Sequence, residues 1–310
     1  MTIYKHVRTQ GIRHSIKLVL VLGFGVMIPS TTVFALDILL GTETVGTFSH
    51  FVGRTLCRVI NDHTDDLNCQ TVPTSDEVDT LTNIQTGSFD LGLVDSRMLH
   101  DAINKLGYFK FLDINYNNLR PLFPLYDKPI TLVVRNDAGV GNLESIKGKR
   151  INAGASRSLE RLALETIFGA KNWTRQDFSL VEDLPKSQSQ DTFALCHGGV
   201  QAIIHVGIHP DAKLKQVFNL CNVKLANMSD SDIEKMLGEN PSLSALSLPV
   251  DIYPGQRESV TTFGSSVMLI TSASMDEESV QKIMEALIAN SNRVSRVHPA
   301  LGSFSPETMQ

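Results

Sequence analysis

Four side chains in the middle of the chain, Cys196, His197, His205 and His209, are of the types that bind zinc. Their spacing argues against a metal site. His205 closes an apolar, strand-like run from Val200, and His209 follows in the turn Gly207-Ile208-His209-Pro210. The two are therefore not one helical turn apart, and no CxxC pair accompanies them. Hydrolytic chemistry finds no better set, because the chain has no GxSxG elbow, no HExxH and no paired carboxylates at a recognisable spacing. The residue pattern points to no enzyme, and no cofactor or metal is expected.

The residues that remain suit the binding of an anion. In LDILLGTETVGTFSHFVGRTLCRVI, residues 36–60, an apolar run ends in the turn Gly41–Thr47, and apolar residues then recur at Phe48, Phe51, Val52, Leu56, Val59 and Ile60. That spacing reads as strand, glycine turn, amphipathic helix. Backbone N–H groups of such a turn, backed by the helix dipole, can meet an anionic group, and Thr42, Thr44, Gly46 and Thr47 are its candidates. An ordinary strand-to-helix connection has the same pattern, and without GxGxxG or a Walker lysine a nucleotide reading is weak. A second turn, Asp95-Ser96-Arg97, follows the strand FDLGLV, and a third, Gly154–Ser158, precedes another helix and supplies Ser156, Arg157 and Ser158. Tyr126, Gly207 and Tyr253 complete the candidate set.

These turns need elements to hold them, and the chain alternates strands and helices throughout. Leu67–Val72 reads as a second strand, Ser75 as an N-cap, and Val78, Leu81 and Ile84 as the buried stripe of a second helix. Leu119–Tyr126 and Ile130–Arg135 read as two β runs separated by Asp127-Lys128-Pro129. Residues 226–251 read as a polar helical hairpin and Tyr253–Gln256 as a tight Pro-Gly turn. Asp276–Asn292 reads as the last helix. In an open α/β sheet, turns at the carboxyl ends of strands face one crevice, so the 41–47 and 95–97 turns should share it.

At 310 residues the chain allows about two domains. The first 35 residues carry Lys5, Arg8, Arg13 and Lys17, then an uncharged run Leu18–Ile28, then Pro29 and Val33-Phe34-Ala35. This is the pattern of a secretory signal cut after Ala35, too short in its apolar run to span a bilayer. Its removal leaves 24 basic against 33 acidic residues, a net charge of −9. Such a chain is a poor nucleic-acid binder. An exported address also favours disulfides. Four cysteines allow three pairings, of which Cys57 with Cys69 and Cys196 with Cys221 are favoured because each brackets one helix–loop–strand unit.

With these turns in order, the chain resembles the TAXI family, the solute-binding proteins of tripartite ATP-independent periplasmic (TRAP) transporters, and within it an immunogenic-protein subgroup with four cysteines. The resemblance lies in Gly41-Thr42 with Gly53, FDLGLV followed by Asp95-Ser96, Leu119-Arg120-Pro121, VVRNDAG, LESIKGKRINAG, His209-Pro210, Tyr253–Gln256, VTTFG and His298-Pro299-Ala300. It implies a type II periplasmic-binding-protein fold, with two α/β lobes crossed twice by the chain. Residues 36–127 plus 262–310 would form one lobe and 128–261 the other. It also implies a monomeric periplasmic receptor that closes on a small organic anion, glutamate-like or a dicarboxylate, and passes it to membrane subunits of a TRAP transporter. The chain departs from the family at Glu43, Ser49, His50, Arg157-Ser158-Leu159 and Gln201, and a shorter tail is expected after His298-Pro299-Ala300. These departures imply the alternative of a degenerate receptor acting as a surface antigen or interaction protein.

Overall fold

The computed structural model describes residues 35–186 and 189–309; the expected signal segment lies outside the described residues. The chain opens with strand β1 (Leu36–Thr42) and helix α1 (Phe48–His63), followed by β2 (Leu67–Pro73), α2 (Glu77–Gln85), β3 (Leu91–Asp95) and α3 (Ser96–Ile103). Helix α1 begins where Thr47 accepts the N–H of His50, and it buries Val52, Leu56, Val59 and Ile60 at the spacing of one helix face. Gly53 lets this helix sit close on the sheet. A Cβ there would lie 2.5 Å from Thr42 Cγ2 and 2.9 Å from Leu40 Cδ2. The cap of α2 is Asp76 rather than Ser75, because its carboxylate reaches the N–H of Asp79.

A 17-residue strand, β4 (Leu119–Arg135), comes next. The sequence suggests two runs broken at Asp127-Lys128-Pro129, but the strand continues through them because its two halves belong to different cores. Phe123, Leu125 and Tyr126 pack with β1 and α1, whereas Ile130, Leu132 and Val134 pack with the elements that follow. Those are β5 (Arg150–Asn152), α4 (Leu159–Lys171), β6 (Leu180–Glu182), α5 (Gln190–Cys196), β7 (Ala202–Val206), α6 (Ala212–Leu220) and β8 (Val223–Ala226). The expected hairpin at 226–251 is instead one helix, α7 (Ser231–Glu239), and a strand, β9 (Ser244–Leu248), because residues 244–248 find an edge to pair with on β10 (Val260–Ser272). Helices α8 (Glu277–Ala289) and α9 (Ser291–Ser295) follow, and Leu301, Phe304 and Met309 return to the core of the first half.

Among the described residues the strands join one sheet in the order β2-β1-β3-β10-β4-β7-β5-β6, with β8 on β4 and β9 on β10. Strands β1, β2 and β3 run parallel, as do β5, β6 and β7, while β10 is antiparallel to both β3 and β4. Like β4, β10 serves both cores: Phe263 packs in the second half, Val267 and Leu269 in the first. The β4–β10 register slips twice, at the steps that bring Met268 opposite Pro124 and Ile270 opposite Pro121. Proline has no N–H to give the ladder, so a bulge beside each one keeps the two strands together. The fold is thus α/β in two lobes joined by two crossing strands. Disulfides join Cys57 to Cys69 and Cys196 to Cys221, with Cα–Cα distances of 4.9 and 5.2 Å.

Candidate functional site

The carboxyl ends of β1 and β3 and the middle of β4 bring together several of the candidates. Asp95 caps α3 through the N–H of Arg97 at 3.0 Å and accepts the Ser265 hydroxyl at 2.8 Å. Its other neighbour is Lys128, whose Nζ lies 3.1 Å from Asp95 Oδ2 and 4.0 Å from Glu77 Oε1. Glu77 also accepts the N–H of Asp95 at 3.2 Å. The sequence reading missed Glu77 and Lys128. Glu77 looks like any first-turn acid of a helix, and Lys128 looks like part of a break between strands. Only the pairing of β10 with both β3 and β4 puts them beside one another.

This cluster is electrostatically lopsided. Burial opposes the Lys128 ammonium, but Asp95, Glu77 and Glu43 outweigh it and hold its pKa above the ordinary lysine range. Burial lifts the Tyr126 phenol well above its usual range, and Glu43, Glu77 and Asp95 add to that. Burial likewise raises Glu77 from 4.5 to about 7, with Asp95 and Glu43 adding to the shift and Lys128 opposing it.

The folded protein therefore holds more protons at Glu77 than the unfolded chain does between about pH 4.5 and pH 7. The contribution of Glu77 to stability is fullest below that window and is lost as pH rises through it. Glu77→Gln keeps an acceptor for the Asp95 N–H and removes the charge. The variant is expected to gain about 2 kcal/mol over the wild type at pH 8 and almost nothing at pH 5. Urea unfolding at the two pH values measures this, and an equal effect at both would show that the charge is not penalised.

Many of the candidate side chains are already engaged within the fold. Thr42 is fully buried and its hydroxyl faces His50 Nδ1 at 2.9 Å. The Thr47 hydroxyl caps α1 and donates to the Thr44 carbonyl at 2.8 Å. Gly46 has φ +93°, which allows the turn its tight form. Ser96 Oγ donates to the Ser242 carbonyl at 2.8 Å and accepts the N–H of Ser266, tying α3 to the segment before β9. Tyr126 is buried against the Phe48 ring at 4.9 Å. Tyr253 lies in the core of the second half: its hydroxyl is 2.6 Å from His209 Nδ1 and accepts the Asp211 N–H, and its ring stacks on Phe218. Its hydroxyl is thus spent on holding the turn that contains Gly207 and His209.

In the second half, Ser158 caps α4 by accepting the N–H of Arg161 at 3.1 Å. Ser156 and Arg157 are exposed, and Arg157 takes a left-handed φ of +64°. Glu160, one turn along the same helix, pairs with Lys186 rather than with Arg157. Among the described residues, no hydrogen bond or ion pair engages the side chain of Arg97 or Arg157, and none joins the 154–158 turn to the 42–47 or 95–97 turns. His209 stays with the second half, bonded to Tyr253, whereas the neighbouring Ile208 packs against the core around β1 and α1. A cavity of about 370 Å³ there takes walls from both halves, among them Asp127, His209, Leu248 and Pro299, and none of the candidate residues lines it.

A family model described as the NMT1-like family matches residues 40–310. Among solved structures, the chain resembles a TctC solute binding protein from Polaromonas, with a TM-score of 0.56 at 15% identity over 88% of each chain. It also resembles ytmK from Bacillus subtilis, designated a "probable amino-acid ABC transporter extracellular-binding protein", with a TM-score of 0.52 at 12% identity over 87% of this chain and 99% of that one. These likenesses are of fold.

Proposed function

Because the chain belongs to the NMT1-like family, we propose that it is an exported solute receptor that delivers a small organic anion to the membrane subunits of a transporter. The observation that carries this reading is the pair of strands β4 and β10, which run through both cores and leave strand-end turns of both halves facing the crossing. Two lobes joined only by such strands can open and close about them. We assign residues 36–127 plus 262–310 to one lobe and 128–261 to the other. No chemistry is performed on the solute. The TctC and ytmK relatives by fold are binding proteins by designation, and two disulfides suit an oxidising compartment outside the cytoplasm. The TAXI-type receptor of a TRAP transporter, acting as a monomer on a glutamate-like or dicarboxylate solute, is the finer form of the same reading.

The charge pattern says where a carboxylate would be held. Glu43 stands in the Thr42–Thr47 turn, and Glu77 and Asp95 lie behind it, so this wall is a poor place for an anion unless a cation is added. Arg157 and Arg97 are better suited, because a guanidinium can grip a carboxylate with two parallel hydrogen bonds and, among the described residues, neither side chain has a partner. A thermal-shift screen of organic acids and amino acids against the mature protein tests the receptor reading: a solute at about 100 times its Kd should add ~2.7 kcal/mol. For the solute so found, Arg157→Ala is expected to weaken binding about tenfold or more, since hydrogen bonds to charged groups contribute roughly 1.5–3 kcal/mol, while the unliganded melting temperature stays the same. Calorimetry showing unchanged affinity would remove Arg157 from the site. The engagement of Thr47, Asp95, Ser158 and Tyr253 in internal hydrogen bonds favours a second reading, a receptor fold turned to surface interaction without transport. A screen with no stabilising solute would support that one.

A further inference from the structure

We propose that the cavity of about 370 Å³ beside the crossing strands is a second binding site, apart from the Arg97 and Arg157 turns, for a primary ammonium carried on a small apolar body. Its size falls within the range of small-ligand sites, ~300–1,000 Å³. The register of the sheet identifies its floor: Asp127 and Pro129 of β4 lie opposite Ser266 and Gly264 of β10, and Leu246 and Leu248 of β9 lie opposite Thr262 and Val260. Residues two apart on a strand share a face, as do residues directly opposite on neighbouring strands, so Asp127, Pro129, Leu246 and Leu248 project from one face of the sheet. Lys128 projects from the other, where it meets Asp95. The sheet therefore stands between this cavity and the Lys128 ammonium. Pro210, Pro249 and Ile252 from the second half and Pro299 from the segment that returns to the first half close the walls.

The lining decides the sign of the ligand's charge. Among the described residues no lysine or arginine lines the cavity, and its two acids are Asp127 and Asp251. His209 adds no positive charge, because burial holds its pKa down to about 4, and its ring nitrogens already face the Tyr253 hydroxyl at 2.6 Å and the Thr131 hydroxyl at 3.4 Å. Four lining residues are prolines, which have no N–H to offer an anion. An anion would thus meet two carboxylates and few donors. Asp127 Oδ1 accepts the Ser266 hydroxyl at 2.7 Å, whereas, among the described residues, its Oδ2 and the carboxylate of Asp251 have no partner. A cationic N–H donor makes the strong, charge-assisted bond that a carboxylate oxygen can accept. Phe, Tyr and Trp are absent from the described lining, so the aromatic faces that suit a quaternary ammonium are missing and a primary ammonium fits instead. The leucines and prolines then receive the apolar body.

The probe is 2-phenylethylamine, an ammonium at neutral pH, titrated by calorimetry into the mature, disulfide-bonded protein. Saturable binding is expected, at least tenfold tighter than that of 2-phenylethanol, which keeps the ring and loses the charge. The Asp127→Asn/Asp251→Asn double variant is expected to bind the amine at least tenfold more weakly. Asparagine still offers the Ser266 hydroxyl an acceptor, so the variant should melt near the wild-type temperature, and the comparison of amine with alcohol is made on the wild type and does not depend on it. The titration needs no other solute, and Arg157→Ala should leave it unchanged, so failure of this site and failure of the receptor reading are distinguishable. No saturable binding, equal affinity for the alcohol, equal affinity in the folded double variant, or a loss of affinity in Arg157→Ala would overturn the site.

Discussion

Lys128→Met is expected to destabilise the protein by about 3–5 kcal/mol, because it leaves the buried Asp95 and Glu77 carboxylates without their cation. The methionine fills most of the volume of the lysine stem, so the loss is electrostatic rather than a cavity. Asp95 would keep its bonds to Ser265 and to the Arg97 N–H, yet hydrogen bonds do not replace the ammonium 3.1 Å from its Oδ2. Two further results follow from that cause. The deficit should shrink as pH falls below about 7, where Glu77 takes up a proton. Adding Asp95→Asn to Lys128→Met should recover much of the loss, since it removes the charge that was stranded. Urea unfolding of the single and double variants measures both, and a single-variant loss under about 1 kcal/mol would mean that the cluster is solvated and not held by Lys128.

Gly264→Ala is expected to cost about 3 kcal/mol, at the upper end for overpacking. Gly264 sits on β10 opposite Pro129 of β4, where a Cβ would lie 2.4 Å from the Lys128 carbonyl oxygen and 2.8 Å from Pro129 Cα. These are backbone atoms, so no side-chain rotation can relieve the clash and the crossing strands themselves must separate. Separation would also move Lys128 away from Asp95, and the effect should therefore be partly shared with Lys128→Met in a double-mutant cycle. Gly264→Ala should further change the affinity for any solute bound by closure, because the crossing strands set how the lobes meet. A melting temperature within a degree of the wild type would show that the strands have room there.

The amino-acid sequence by itself determined the local units. The 3–4 spacing of apolar residues in 48–60 made α1 and the local cysteine pairs became the two disulfides, because each of these depends on residues close together in the chain, whereas β1 ran on through Gly41 to Thr42, two residues into the expected turn. The Gly154–Ser158 turn was legible for the same reason, and the exposure of Arg157 was not. What lies between distant segments was not legible. Asp127-Lys128-Pro129 reads locally as a break, and only pairing with β10, more than a hundred residues later, makes it the middle of one strand. Residues 244–248 carry a weak strand pattern and became β9 because an edge was available. The same pairing brings Glu77, Asp95 and Lys128 into contact from three separate elements, and sends Tyr253 inward to bond His209 instead of leaving it at the surface. Periodicity reports which face of an element is buried, whereas a charge cluster or a spent hydroxyl depends on which elements the sheet makes neighbours, and that order was set only by tertiary pairing.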